Sequence, residues 1–150
     1  YEEVGLIVRQ ARELGLDVPI LGGDGYESPK FAEISGKEAA NNVFYSNHYS
    51  PMDDSEEVVG FRERFKKKYN KEPNGFNALG YDLAYLLKDA LERAEEANPE
   101  KLKKALESTK DFKGVTGTIT IDENHNPIKS TTIIELKDGV PVFLKKLDPK

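Results

Sequence analysis

Apolar residues recur at helical spacing from the first turn of the chain. Val4, Ile7, Val8, Ala11 and Leu14 fall on one stripe, with Arg9, Arg12 and Glu13 elsewhere on the wheel. Gly15 supplies a left-handed stop after this helix. The run Val18-Pro19-Ile20-Leu21 predicts a short buried strand, and Gly22-Gly23-Asp24-Gly25 follows it directly. Ser28-Pro29 has the form of a helix start, with an N-cap hydroxyl before a first-turn proline. Phe31 and Ile34 belong to that short helix, which stops near Gly36. Val43-Phe44-Tyr45-Ser46 reads as a second strand. Helix, strand, short helix and strand in succession predict an α/β fold with a parallel sheet.

The pattern then changes. His48 to Ser55 carries Pro51 and paired aspartates and reads as a loop or a crossover between subdomains. Val58, Phe61, Phe65 and Tyr69 share one face of the next helix. After a turn-rich break at Asn70 to Gly75, a long helix is predicted from about Asn77 to Glu96. Its stripe is Leu79, Leu83, Leu86, Leu87, Ala90, Leu91 and Ala94. Asn98-Pro99 opens a third helix, which carries Leu102, Ala105 and Leu106. Three successive helices require a sheet or partner helices from elsewhere. Beyond Gly114 the period becomes that of strands. Thr118-Ile119-Thr120-Ile121 alternates, Asp122 to Pro127 is a turn, and Thr131–Leu136 with Val140–Leu144 forms a hairpin. Lys137-Asp138-Gly139 joins that hairpin, since Asp-Gly suits the positive φ of such turns.

Composition narrows the functional classes. The chain has 150 residues, 33% charged and 37% hydrophobic, with a net charge of −5. That balance argues against nucleic acid or an anionic membrane as the main partner, because both reward clustered Lys and Arg. The basic run Lys66-Lys67-Lys68 reads as a solvated helix face. Cysteine is absent, which excludes thiolate nucleophiles, disulfides and Cys-ligated zinc. No segment approaches the ~20 apolar residues of a membrane helix. The chain opens directly into a helix with no signal peptide, so an upstream part is expected.

Catalytic signatures are lacking. His48 and His125 are far apart, and neither belongs to an HExxH pair; both read as surface loop residues. There is no GxSxG elbow and no GxxxxGK[ST] loop. Asp122 to Pro127 begins like a calcium loop, but Pro127 stands where an EF-hand needs Gly and Ile133 where it needs Glu, so a turn is predicted and no metal site. The most informative local feature is Gly22-Gly23-Asp24-Gly25. Ligands of open α/β folds bind beyond the carboxyl ends of strands, glycines admit a ligand to the backbone, and Asp24 suits an ammonium group. A plain tight turn with a solvated aspartate fits the same residues. Tyr26, Tyr45, Tyr49 and Phe76 lie near element ends, where they form either an aromatic ligand wall or ordinary packing.

Four ordered stretches carry a family resemblance: Tyr1 to Leu14 (YEEVGLIVRQAREL), Pro19 to Pro29 (PILGGDGYESP), Tyr69 to Tyr81 (YNKEPNGFNALGY) and Phe112 to Asn124 (FKGVTGTITIDEN). In order and spacing they resemble the latter part of the leucine/isoleucine/valine-type binding proteins of ABC transporters, along the whole chain. The resemblance implies part of a two-lobe periplasmic binding protein type I (Venus-flytrap) fold, with a parallel sheet, flanking helices and a C-terminal hairpin. Residues 1–46 would belong to the second lobe, 47–51 to a hinge crossover, 52–113 to helices of the first lobe, and 114–150 to a crossover strand and the second-lobe hairpin. It implies non-catalytic capture of a small amino acid and delivery to an ABC transporter membrane permease, in the periplasm or outside the cell, lipid-anchored in some relatives and with no cofactor. The family's ammonium-gripping acidic residue falls on Asp24. A ligand-contacting tyrosine falls at or just before Tyr1, and a cleft-facing aromatic at Phe76; Gly23 and Tyr26 complete the candidate set. The residues that hold the ligand carboxylate would lie in the missing upstream part, so weak ligand binding and a homo-oligomer or swapped dimer are expected of this fragment. A sensor ectodomain of the same fold, or an α/β enzyme using Asp24, are the alternatives.

Overall fold

A computed structural model describes residues 1–96 and 98–149. The chain divides into two compact units. The first comprises Tyr1–Met52 and Thr131–Leu147, and the second takes in Asp53–Ser130.

In the first unit, α1 (Glu2–Glu13) and α2 (Pro29–Ser35) pack against each other and over a four-stranded sheet. The sheet contains β1 (Ile20–Gly22), β2 (Val43–Asn47), β6 (Thr131–Lys137) and β7 (Val140–Leu147), in the order β1-β2-β6-β7. Strands β1 and β2 are parallel, as the helix–strand alternation implies. The hairpin then joins β2 antiparallel, so the sheet is mixed and not purely parallel. Local signals set the element ends. Ser28 caps α2 by accepting from the Lys30 N–H at 3.2 Å, and Gly15 and Gly36 take positive φ after the two helices. Asp138 and Gly139 both have positive φ, the conformation a two-residue hairpin turn demands. Asn41 braces that turn, accepting from the Asp138 N–H at 2.8 Å and donating to its carboxylate at 3.1 Å.

Alternate residues of β2 and β6 face the helices. Val43, Tyr45, Ile134 and Leu136 are buried there with Val8, Phe31 and Ala40. Two details differ from the sequence reading. On α1 only Val8 of the expected stripe is fully buried; Ile7 and Leu14 are exposed, because Gly5 makes the close approach to Ile34 of α2. Strand β1 lies at the sheet edge and leaves Leu21 75% exposed, where a buried strand is expected.

The second unit holds α3 (Glu56–Tyr69), α4 (Gly75–Ala94), α5 (Pro99–Glu107) and a small antiparallel sheet. That sheet runs β3 (Phe112–Gly114), β4 (Gly117–Ile121), β5 (Pro127–Ile128). Strand β3 pairs in register with β4, residues 114–130 lie within this unit, and the hairpin strands start at Thr131, as the alternation predicts. Asn74 forms a reciprocal capping box with Asn77 at the start of α4, and Asn98 accepts from the Glu100 and Lys101 N–H groups at the start of α5. Aromatic rings join α3 to α4: Phe61 meets Phe65 at 5.7 Å and Tyr81 at 4.9 Å between centroids. Lys66, Lys67 and Lys68 are exposed in the last turn of α3, where cations oppose the negative end of the helix dipole. Ala90 and Ala94 of α4 pack against Ala105 of α5, while Leu83, Leu87 and Leu91 of the predicted stripe face outward.

The turn at Asp122 is closed by its own side chain, which accepts from the Asn124 and Asn126 N–H groups at 2.9 and 2.8 Å. A second aspartate has a larger structural role. Asp82 of α4 is buried and accepts from the Val115 N–H at 2.7 Å and the Thr116 N–H at 2.8 Å. It thereby ties the β3–β4 turn to the helix. Gly114 makes room for that carboxylate, since a Cβ there would lie 2.6 Å from an Asp82 oxygen.

Candidate functional site

The glycine-rich segment begins at the carboxyl end of β1. Gly22 closes the strand beneath the ring of Tyr26, which occupies the space a side chain would need. From there the chain turns through one 3-10 turn, Asp24–Tyr26, held by the Tyr26 N–H to Gly23 O at 3.2 Å and the Glu27 N–H to Asp24 O at 3.0 Å. The Tyr26 ring stacks on Phe31 at 5.6 Å and tilts against Tyr45 at 6.1 Å, so it ties the turn to the core. A Cβ at Gly22 would stand 2.1–2.4 Å from three Tyr26 ring atoms. Gly22→Ala is therefore expected to displace the ring and cost about 1–3 kcal/mol, the usual penalty of overpacking. A denaturant titration checks this, and an unchanged midpoint would show that the ring does not hold the turn.

Asp24 sits at the head of this turn with its side chain 63% exposed. No atom lies within 4 Å of a Cβ built on Gly23 or on Gly25, so the backbone on either side of the carboxylate is open to a solute. The carboxylate has one close basic partner among the described residues: His48 Nε2 stands 3.4 Å from Asp24 Oδ2. His48 is the residue that follows β2. Gly22 and Tyr45 are register partners in the parallel pair, so both chains leave the sheet at one edge. The sequence alone predicts a surface loop residue at His48, and the structure places it, partly buried, just past β2. The signal that would have found it is topological, because residues just beyond adjacent parallel strands converge.

The remaining candidates are placed as follows. Tyr1 is the N-cap of α1 in the same unit and is 44% exposed. Tyr45 and Tyr49 are buried, so neither forms an open aromatic wall in this chain. Burial pushes the Tyr45 phenol above the usual tyrosine range, and the nearby Glu27 carboxylate adds to that shift. Phe76 belongs to the second unit, in the first turn of α4, and is 74% exposed. His125 of that unit lies 3.0 Å from Glu107. No helix of the described residues is long and apolar enough to cross a membrane.

A family model for periplasmic binding proteins matches residues 2–140. The chain belongs to that family. Among curated relatives of the family, a Leu/Ile/Val-binding protein homolog of Brucella suis is 30% identical over 129 residues, covering 85% of this chain and 33% of the relative. Among solved structures, a leucine-binding protein from Thermotoga maritima superposes with a TM-score of 0.87 at 41% identity, covering 98% of this chain and 42% of that one. The branched-chain amino acid transporter substrate-binding protein of Streptococcus pneumoniae, solved with isoleucine, gives 0.84 at 35% identity, with 99% and 42% covered. The α/β architecture with helices on a mixed sheet is thus that of the periplasmic binding proteins, and the chain spans less than half the length of these members of the family.

Proposed function

We propose that this chain contributes part of the ligand site of a protein that captures a branched-chain or similar amino acid and hands it to an ABC transporter permease. The observation that carries the reading is the exposed Asp24 carboxylate at the carboxyl end of β1, flanked by open glycine backbone. Such a group pairs with an α-ammonium by charge-assisted hydrogen bonding. Gly23 lets the solute approach the main chain, and Tyr26 fixes the turn from below. Tyr1, in the same unit, offers exposed aromatic surface for an apolar side chain. Relatives solved or described as leucine-, isoleucine- and valine-binding proteins support the ligand class.

The action is binding without bond making, so the chain is not an enzyme. Its place of work is the periplasm or the outer face of the cell. In this reading the two units belong to different lobes of the fold.

The ammonium assignment is tested with leucine and with 4-methylpentanoate, which is leucine without its amino group. Calorimetry on the complete natural polypeptide containing this sequence is expected to give roughly 100-fold or weaker affinity for the des-amino compound. That factor follows from a desolvated carboxylate left without its cation, at 1.4 kcal/mol per tenfold. Equal affinity for the two compounds would rule out Asp24 as the ammonium partner.

A further inference from the structure

We infer that His48, once protonated, competes with the ligand ammonium for the Asp24 carboxylate, so that amino-acid affinity falls as pH falls. This inference rests on the reading that Asp24 receives the ammonium. Its basis is the pairing of His48 Nε2 with Asp24 Oδ2 at 3.4 Å, at the shared edge of two parallel strands.

The two partners are held differently. His48 is the more covered, with its side chain 39% exposed against 63% for Asp24. Its backbone N–H donates to Asn47 Oδ1 at 2.7 Å, and Asn47 is buried at the end of β2. Thr131 Oγ1 donates to the Asn47 carbonyl at 3.3 Å, which secures the same point from β6. The backbone that carries the imidazole is thus anchored to the sheet, while the carboxylate keeps an open side for a solute. A separation of 3.4 Å is long both for a hydrogen bond between these groups and for a tight ion pair, so the contact yields readily to a better-placed cation.

Other charged or titratable groups near this edge are Glu27 and Tyr26 of the turn, Tyr45 of β2, and Lys146 of β7, the register partner of Thr132. Glu27 acts on the Tyr45 phenol. Of these side-chain types only an imidazole ordinarily changes charge between pH 5.5 and 7.5. Neutral His48 leaves the negative charge of Asp24 to the ligand. The imidazolium neutralises that charge and repels the ammonium. By linkage the ligand cation favours the neutral imidazole, so binding releases a proton and affinity declines towards low pH, by at most about tenfold per pH unit for one proton.

The test is leucine calorimetry on the complete natural polypeptide at pH 7.5 and 5.5, in two buffers of different ionisation enthalpy. The wild type is expected to bind about five- to tenfold more weakly at pH 5.5 and to release up to one proton per leucine at the lower pH. His48→Gln is expected to stay within about threefold of wild type at pH 7.5 and to lose both the pH dependence and the proton release. The proton count on the wild type needs no variant, so misfolding of His48→Gln does not shield the idea. A flat wild-type profile, or an unaltered profile in His48→Gln, overturns it. If Asp24→Ala still abolishes binding in that case, the Asp24 reading stands and only the role of His48 falls. Absence of leucine binding at both pH values overturns both.

Discussion

Asp24→Ala in the complete polypeptide is expected to weaken leucine binding by at least about a hundredfold, while leaving the folding of the first unit unchanged. The two halves of that expectation have separate causes. Asp24 is largely exposed and takes no part in the core beneath it, so the free protein loses only a loose pair with His48. Exposed pairs of that kind contribute about 0–1 kcal/mol, which is too small to threaten the fold. In the bound state the same carboxylate faces an ammonium that has left water, and removing one partner of a desolvated pair costs about 3–5 kcal/mol. Asp24→Asn keeps the size and the turn but not the charge, so it separates the two effects and should lose most of the affinity. Thermal melts matching wild type, together with a large rise in dissociation constant, would support the assignment. Unchanged affinity in both variants would end it.

Asp82→Ala is expected to destabilise the second unit by about 3–5 kcal/mol, with no direct part in ligand recognition. The carboxylate is buried and receives two main-chain N–H groups at 2.7 and 2.8 Å. Hydrogen bonds to a charged group contribute about 1.5–3 kcal/mol each, and both donors become unpaired in a buried turn when the acceptor goes. Val115 and Thr116 are themselves buried, so water does not readily replace the lost acceptor. Asp82→Asn retains one acceptor oxygen and should still fall well below wild type, because its amide nitrogen meets an N–H donor. Against a typical domain stability of about 5–15 kcal/mol, the loss would be obvious in a urea titration. A change below about 1 kcal/mol for Asp82→Ala would mean that the β3–β4 turn is held by other contacts.

Asp24 and Asp82 also show how far the residues alone can be read. Asp24 stands out because glycines surround it immediately after a strand. Asp82 carries no such mark: it sits inside an amphipathic helix, where an aspartate reads as one more solvated position. Its acceptor role depends on a turn more than thirty residues away, and only folding brings the two together. His48 is a similar case. Neither of its neighbours in sequence announces a partner, and the pairing with Asp24 follows from the register of β1 and β2.

Local chemistry, written in a few adjacent residues, determined where elements start and stop. Ser28-Pro29 and Asn98-Pro99 open α2 and α5, Gly15 and Gly36 take positive φ after α1 and α2, and Asp138-Gly139 turns the hairpin. Each works over one turn of chain, so no distant residue can alter it much. The helix–strand alternation also sufficed for the α/β class, and the ordered stretches for the family. Tertiary structure decided the mixed sheet order, the short strand β3, the edge position of β1 with its exposed Leu21, and which side of α4 is covered. These outcomes rest on pairings between distant segments. An apolar residue records that a surface favours leaving water, but it does not record which partner covers that surface.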